Sequence, residues 1–402
     1  MLSGENIVCF APDPWGDIWR NRHRLLSVFA RTNRVVYVEP RTTARGLARG
    51  LRQDGLSLVS PFRRRVVEVR ENLFVYRDPG FLPRTTKRGI GPAIDSLRDG
   101  SLRRALRGLG VERPILWLVR PEAWDVPGKL GEKLLLYQIV DDYLSYAGLT
   151  ERARSRLDQQ ERSIAAKADL VIVTADHLLQ IKRHLHKEIV HVRNGVDDRT
   201  LDEGRAGSGP VARELSSAKK PVWGYVGGIT EKLDLELLEK MAKHLEERGG
   251  TLALVGPVNV SEGASVEAIG RLRASPAVIF AGQRPAAEVP AWLRGFDVGL
   301  IPYRVNDQAR AIDPLKLYEY LAFGRPIVAV DIPSLRQFRG LVSVASSHGD
   351  LLRLAEEASL DHDEALAVRR REVAAENSWD RRAEQISEAI EAALQRKSIL
   401  TR

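Results

Sequence analysis

Short apolar runs recur along the whole chain, each bounded by breakers and many separated by stretches with helical spacing. In the first half these are "NIVCFA" (6–11), "RVVYVE" (34–39), "NLFVYR" (72–77), "PILWLV" (114–119), "LLLYQIV" (134–140) and "DLVIVTA" (169–175). Runs so rich in Val, Ile and Leu, with little polar alternation, predict strands covered on both faces. Residues 19–30 and 150–168 carry apolar positions at helical spacing, which predicts crossover helices between parallel strands. After "EIVHVRNGVDD" (188–198) the stretch 201–220 reads as a loose linker, and then the pattern restarts. "PVWGYVG" (221–227) precedes a helix through Ala242, followed by "TLALVG" (251–256), "AVIFAG" (277–282), "FDVGLIPY" (296–303) and "PIVAV" (326–330).

The expected class is therefore α/β: two Rossmann-like, doubly wound domains at 1–200 and 201–375, then an amphipathic helix at 376–402. Two such domains would face each other across a cleft. Open parallel sheets bind ligands beyond the carboxyl ends of their strands, so the loops after the strands are the places to search for chemistry.

Four of those loops stand out. After the first strand, Gly16 in "PDPWGDIWRNRHR" permits close backbone approach, and His23 follows on a helix as either a packing or a catalytic residue. After the fifth come Asp141 and Asp142, which either orient an acceptor hydroxyl or cap the structure. The restart of the pattern is followed by "GGITEK" (227–232), where Gly227 and Gly228 open the backbone beside Thr230 and Lys232. The last is "AIDPLKLYEYLAFGRPIVAV" (311–330), in which Asp313 and Pro314 read as N-cap and first residue of a helix ending at Gly324. Lys316 then either adds charge to the cleft or faces solvent.

Composition narrows the class. Hydrophobic content of 44% with 29% charged residues describes a folded chain, and 402 residues exceed one compact core. No apolar run approaches the roughly 18 residues that span a bilayer. The opening "MLSGENIVCFAPDPW" has no basic start or signal core and reads as a first strand. The single cysteine, Cys9, excludes an internal disulfide, and a cytoplasmic protein is expected. The net charge of +9 is localised: residues 41–110 hold sixteen Lys/Arg against six Asp/Glu. Such segregation predicts an anionic partner, and Arg63, Arg64 and Arg65, with the leucines at 47, 51, 56 and 58, are the expected membrane-facing group. There is no G-x-G-x-x-G after a strand, no zinc-spaced His/Cys cluster, and no aromatic interleaving for nucleic acid.

The order "VGGITEK", "FAGQRP", "FDVGLIPY", "DPLKLYEYLAFGRPIVA" and "SWDRR" resembles the C-terminal half of GT-B-fold glycosyltransferases of the family 4 (group 1) type. "RNGVD" (193–197) is similar to the turn at that family's domain junction, and "PWGDIWRNRHRLLSVFARTNRVVYVEP" and "YQIVDDYLSYAG" resemble its bacterial cell-surface polysaccharide branch. The resemblance implies that Glu319 accepts hydrogen bonds from the donor ribose. The family's first glutamate falls on Ala311, leaving Asp313 as the nearest carboxylate to compensate. By this resemblance Pro314, Leu315 and Lys316 would open the helix over the diphosphate, Thr230 and Lys232 are the nearest equivalents of the phosphate-holding residues, and Gly16 is the candidate for backbone contact. Gln283 and Arg284 border the nucleobase, although Arg284 reads equally as a solvated loop residue. The final helix would cross back to the first domain.

The expected activity is a metal-independent, retaining hexosyltransferase. It would move sugar from a nucleoside-diphosphate donor (UDP or GDP, with no other cofactor) to a glycan or lipid-linked hydroxyl acceptor at the inner face of the membrane. Asp141, Asp313 and His23 are the catalytic candidates. The rivals are a nucleotide-sugar epimerase of the same fold and a non-catalytic protein that binds anionic surfaces.

Overall fold

A computed structural model describes residues 1–16, 19–41, 65–79, 90–146, 148–261 and 263–400. Arg63, Arg64 and the other residues of 42–64 lie outside the described residues. The chain divides into two units, Met1–Thr174 with Leu178–Val192 and Ala383–Arg402, and Ala175–His177 with Arg193–Arg382.

The first unit is built on eight strands: β1 (Asn6–Phe10), β2 (Arg34–Val38), β3 (Val66–Arg70), β4 (Leu73–Tyr76), β5 (Ile115–Leu118), β6 (Leu134–Ile139), β7 (Leu170–Val173) and β8 (Ile189–His191). Their order across the sheet is β3-β4-β2-β1-β5-β6-β7-β8, parallel except for β3 against β4. Every residue of β5, β6 and β7 is buried, as continuous apolar runs require of strands with both faces covered. The helices are α1 (Asn21–Phe29), α2 (Ile90–Gly108), α3 (Glu151–Ala165) and α4 (Asp176–Lys182), whose first residues belong to the second unit. Thr150 starts α3 by accepting from the Ala153 N–H.

The second unit has six parallel strands, β9 (Val222–Val226), β10 (Thr251–Val255), β11 (Val278–Gly282), β12 (Val298–Ile301), β13 (Ile327–Val330) and β14 (Ser343–Ala345), ordered β11-β10-β9-β12-β13-β14. Its helices are α5 (Asp198–Ala206), α6 (Arg213–Ser216), α7 (Leu235–Arg248), α8 (Gly263–Ala274), α9 (Val289–Gly295), α10 (Asp307–Arg310), α11 (Leu315–Ala322), α12 (His348–Ser359) and α13 (Glu364–Glu376). Helix α14 (Trp379–Leu400) starts in the second unit and runs into the first from Ala383. Gly204 lets α5 lie on α11, because a Cβ there would stand 2.0 Å from the Ala322 carbonyl oxygen.

Three expectations change. The linker-like stretch 201–220 holds most of α5, capped by the Asp197 carboxylate, and α6. Residues 41–110 contain β3 and the long helix α2, neither of which the apolar pattern revealed. Asp313 is not an N-cap: α11 begins at Leu315 with Pro314 as cap, because the Asp313 side chain is committed elsewhere.

In both sheets the chain winds outward from a central strand and then returns to its other side. The switch falls between β1 and β5 in the first unit and between β9 and β12 in the second. Crevices at such switch points, beyond the carboxyl ends of the strands, are where parallel sheets hold ligands.

Candidate functional site

In the second unit, the loop after β9 is sewn to its neighbours by backbone hydrogen bonds. Gly227 N–H donates to Val255 O (2.8 Å), Ile229 N–H to Pro257 O (2.9 Å), Asp234 N–H to Pro302 O (3.0 Å) and Arg304 N–H to Lys232 O (2.9 Å). Glycine is required at the crossing: Gly227 has φ +138° and Gly256 φ +148°, and a Cβ on Gly256 would stand 2.0 Å from Gly227 O. The backbone at the switch point is thus held in place and left without side chains.

Lys316 converges on this loop. It is buried, its Nζ donates to Tyr303 Oη at 2.6 Å, and it lies 4.6 Å and 4.8 Å from the ring centroids of Tyr225 and Tyr303. A Cβ on Gly227 would meet Lys316 Nζ at 3.4 Å, so ammonium and glycine backbone share one corner. Lys232 Nζ lies 4.7 Å from the same Tyr303 ring. Burial drives the Lys316 ammonium well below the usual lysine range, Lys232 pushes it further down, and Glu319 opposes both. Two lysine side chains over one phenol ring, beside a loop of open backbone, make a corner whose chemistry suits an anion. Helix α11 adds to it: Pro314 offers no capping side chain, and with Leu317 N–H donating to Pro314 O (3.1 Å) the N–H groups of Leu315 and Lys316 are left to an anion.

Glu319 and Leu315 are the half-buried members of α11, one turn apart on one face. Thr230 Oγ1 accepts from the Lys232 N–H at 3.3 Å and shapes the turn that presents Lys232. Gln283 is exposed. Arg284 is not a solvated loop residue: it is ion-paired with Glu214, lies 3.7 Å from Glu288, donates to Ala281 O at 3.0 Å, and rests over Trp292.

Asp313 points inward. Its carboxylate accepts from Asn194 N–H at 2.7 Å and from Tyr318 Oη at 3.0 Å, while Asn194 Nδ2 donates to Asp313 O at 2.7 Å. Only 4% of the residue is exposed, and burial raises its carboxyl to about 6, against the pull of Asn194, Arg193, Tyr318 and Arg382. It fastens the Asn-Gly turn to the start of α11 and does not stand in for the carboxylate absent at Ala311. Ala311 is itself fully buried.

In the first unit, Glu39 joins three strand ends, accepting from Trp15 N–H (3.1 Å) and Arg77 Nε (2.9 Å). A cavity of about 230 Å³ lies at the switch point, lined by Phe10, Asp13, Glu39, Arg41, Arg120 and Glu122 among others. Gly16 is exposed, with open space where a Cβ would stand. Asp142 is held by Lys182 (2.9 Å), which also binds the buried Glu161 (2.8 Å). Its partner Asp141 stays half-buried and accepts from Tyr146 Oη at 2.8 Å. His23 is fully buried: its Nδ1 accepts from Arg20 N–H (3.1 Å), so Nε2 carries the proton and faces Tyr37 Oη (3.2 Å). Among Trp15, Trp19 and Tyr37 it is a packed, neutral ring and not a base open to substrate.

The basic segment is also more occupied than its charge suggests. Arg41 lies 3.0 Å, 3.5 Å and 4.0 Å from Asp125, Asp99 and Asp78, and Arg65, expected at a membrane, donates to Ser101 Oγ at 2.8 Å. Among the described residues no helix is long and apolar enough to cross a membrane.

Comparison with known proteins agrees with this layout. Residues 220–358, all within the second unit, match the family model of glycosyl transferases group 1. A Bacillus subtilis protein that carries the name teichuronic acid biosynthesis glycosyltransferase TuaH is 27% identical over 81% of this chain and 81% of its own length. Sucrose-phosphate synthase from Thermosynechococcus elongatus shares the fold with a TM-score of 0.69 at 18% identity, covering 99% of this chain and 100% of that one. Anabaena HepE, solved with UDP and glucose, follows with a TM-score of 0.67 at 14% identity, covering 96% of this chain and 100% of that one. The protein is a glycosyltransferase of the GT-B fold. Its second unit matches the glycosyl transferases group 1 family.

Proposed function

We propose that the chain moves a hexosyl group, with retention of configuration, from a UDP- or GDP-sugar to a hydroxyl acceptor during assembly of a cell-surface polysaccharide. The observation that carries this reading is the pair of lysines over Tyr303 beside the glycine loop. A diphosphate entering there would neutralise both ammonium groups and accept from the first-turn N–H groups of α11. Glu319 offers two acceptor oxygens to the ribose diol.

In the reaction the bond from the sugar C1 to the diphosphate oxygen breaks and one to the acceptor oxygen forms. With retention, the acceptor proton passes to the departing phosphate oxygen on the same face. Lys232, Lys316 and the α11 amides stabilise the charge that develops on that oxygen. The first unit takes the acceptor, and its half-buried Asp141 orients the hydroxyl. UDP and glucose in HepE support the donor class, and the name of TuaH supports the polysaccharide context. The localised basic charge supports an acceptor presented at the inner membrane face.

A thermal-shift panel of UDP-, GDP-, ADP- and dTDP-sugars, followed by product analysis with and without glycan acceptors, tests the reading. Stabilisation by one nucleoside diphosphate and release of that diphosphate only with acceptor are expected. Conversion of the donor alone would favour an epimerase and overturn it.

A further inference from the structure

Several exposed arginines on this protein's helices have acidic neighbours, Arg162 with Asp158, Arg271 with Glu239, Arg353 with Asp350 and Glu357, Arg369 with Glu372, while others, such as Arg152, Arg156 and Arg213, make no ion pair among the described residues. Helix α2 gathers three such unpaired arginines on one face, beside apolar surface. Its two acids are drawn to its flank and interior, Asp95 by the buried Arg98, and Asp99 by Lys129 (2.7 Å) and Arg41 (3.5 Å). Its outer face keeps Arg103, Arg104 and Arg107, all exposed and making no ion pair among the described residues.

At 100° per residue these three lie with Ala93, Leu97 and Gly100 within about 120° of arc. Leu97 is 61% exposed, among the most exposed large apolar side chains described. Beside the arginines runs a groove of about 560 Å³, with Leu106, Val111 and Leu130 in its walls. Bare guanidinium groups, an apolar floor and a protruding leucine on one helix face match a surface of anionic headgroups above acyl chains.

We propose that the outer face of α2 docks on an anionic lipid bilayer, with Arg103, Arg104 and Arg107 on headgroup phosphates and Leu97 entering the boundary below them. This deepens the membrane part of the functional reading and is independent of the donor site. Three arginines near such a surface together give about a 100-fold gain in partition. Arginines in a last turn also favour the helix dipole, but that role would change thermal stability and leave lipid binding untouched.

The test is co-sedimentation of the full chain with vesicles of equal parts phosphatidylcholine and phosphatidylglycerol, with phosphatidylcholine alone, and competition by a single-stranded RNA oligonucleotide. Binding should need phosphatidylglycerol, weaken with salt, and fall about 100-fold in R103Q/R104Q/R107Q, which should keep UDP or GDP binding. Leu97→Ser should weaken binding with no change in its salt dependence. If the glutamine variant fails to fold, R103K/R104K/R107K keeps the charge and must bind as the wild type does. The proposal is overturned if the wild type stays in the supernatant, if the glutamine variant binds as well as the wild type, or if RNA displaces the vesicles fully. Loss of nucleotide binding in the wild type would instead count against the donor site.

Discussion

Lys316→Met removes the charge from the pocket while keeping an unbranched side chain of similar length. Its effect on folding and its effect on donor binding separate cleanly. Folding has buried an ammonium beside a second lysine, so deleting the charge relieves a desolvation cost and a repulsion. Against this stand the bond to Tyr303 Oη, about 1–3 kcal/mol when a buried partner is left behind, and two ring contacts of roughly 0.5–2 kcal/mol each. These oppose one another, and stability should change by no more than about 2 kcal/mol. The sign with pH is fixed. Because the folded lysine titrates below its unfolded value, the unfolded state binds more protons between the two, and the penalty shrinks as pH rises through that window. Any stabilisation by methionine is therefore greatest below the folded value and fades at alkaline pH. For binding, a charge-assisted bond to phosphate contributes about 1.5–3 kcal/mol, or roughly 10–150-fold in Kd. Calorimetric titration with the preferred nucleoside diphosphate and with its bare nucleoside is the assay. The diphosphate should lose affinity and the nucleoside should not. Equal affinities in wild type and variant, or equal losses for both ligands, would refute the assignment of Lys316 to phosphate.

Three further outcomes are expected. Glu319→Ala should weaken nucleotide binding by about 1.5–3 kcal/mol and erase discrimination against the 2′-deoxynucleotide, read by the same titration. Turnover should persist in excess EDTA because Lys232 and Lys316 already place positive charge at the pocket; a complete loss restored by magnesium or manganese would show otherwise. Asp313→Asn should flatten the pH dependence of stability in urea unfolding: with its carboxyl raised to about 6, Asp313 contributes stability that is full below its unfolded value and lost as pH rises through about 6, about 3 kcal/mol in all.

The strands were legible because burial on both faces leaves no polar alternation, and the apolar runs at 134–140 and 169–175 hold β6 and β7 within a residue or two. Helix α2 was not legible for a related reason. Its sequence "IGPAIDSLRDGSLRRALRG" carries two internal glycines and four arginines, one of them buried, so neither propensity nor a polar-apolar stripe marks it. The stretch 201–220 misled through its glycines: Gly204 permits contact between α5 and α11, and Gly207, at φ +61°, ends α5.

At the site, the motif located the elements but not the direction of the side chains. Lys316 and Asp313 are three residues apart in one apolar-flanked stretch, and local spacing leaves open which of them faces a ligand. Tyr303 and Tyr225 decide it for Lys316, and Asn194 and Tyr318 decide it for Asp313. Tyr225 and Asn194 lie far away in sequence, and "FDVGLIPY" shows the nearer Tyr303 only as the end of a strand. A buried lysine held by phenol rings, with a second lysine beside it, is costly in a folded chain unless something anionic completes it. That cost is visible only once β9, β12 and α11 are brought together at the switch point. Under the proposed function it makes Lys316, and not the better matched Glu319, the residue whose chemistry would most narrowly define the ligand.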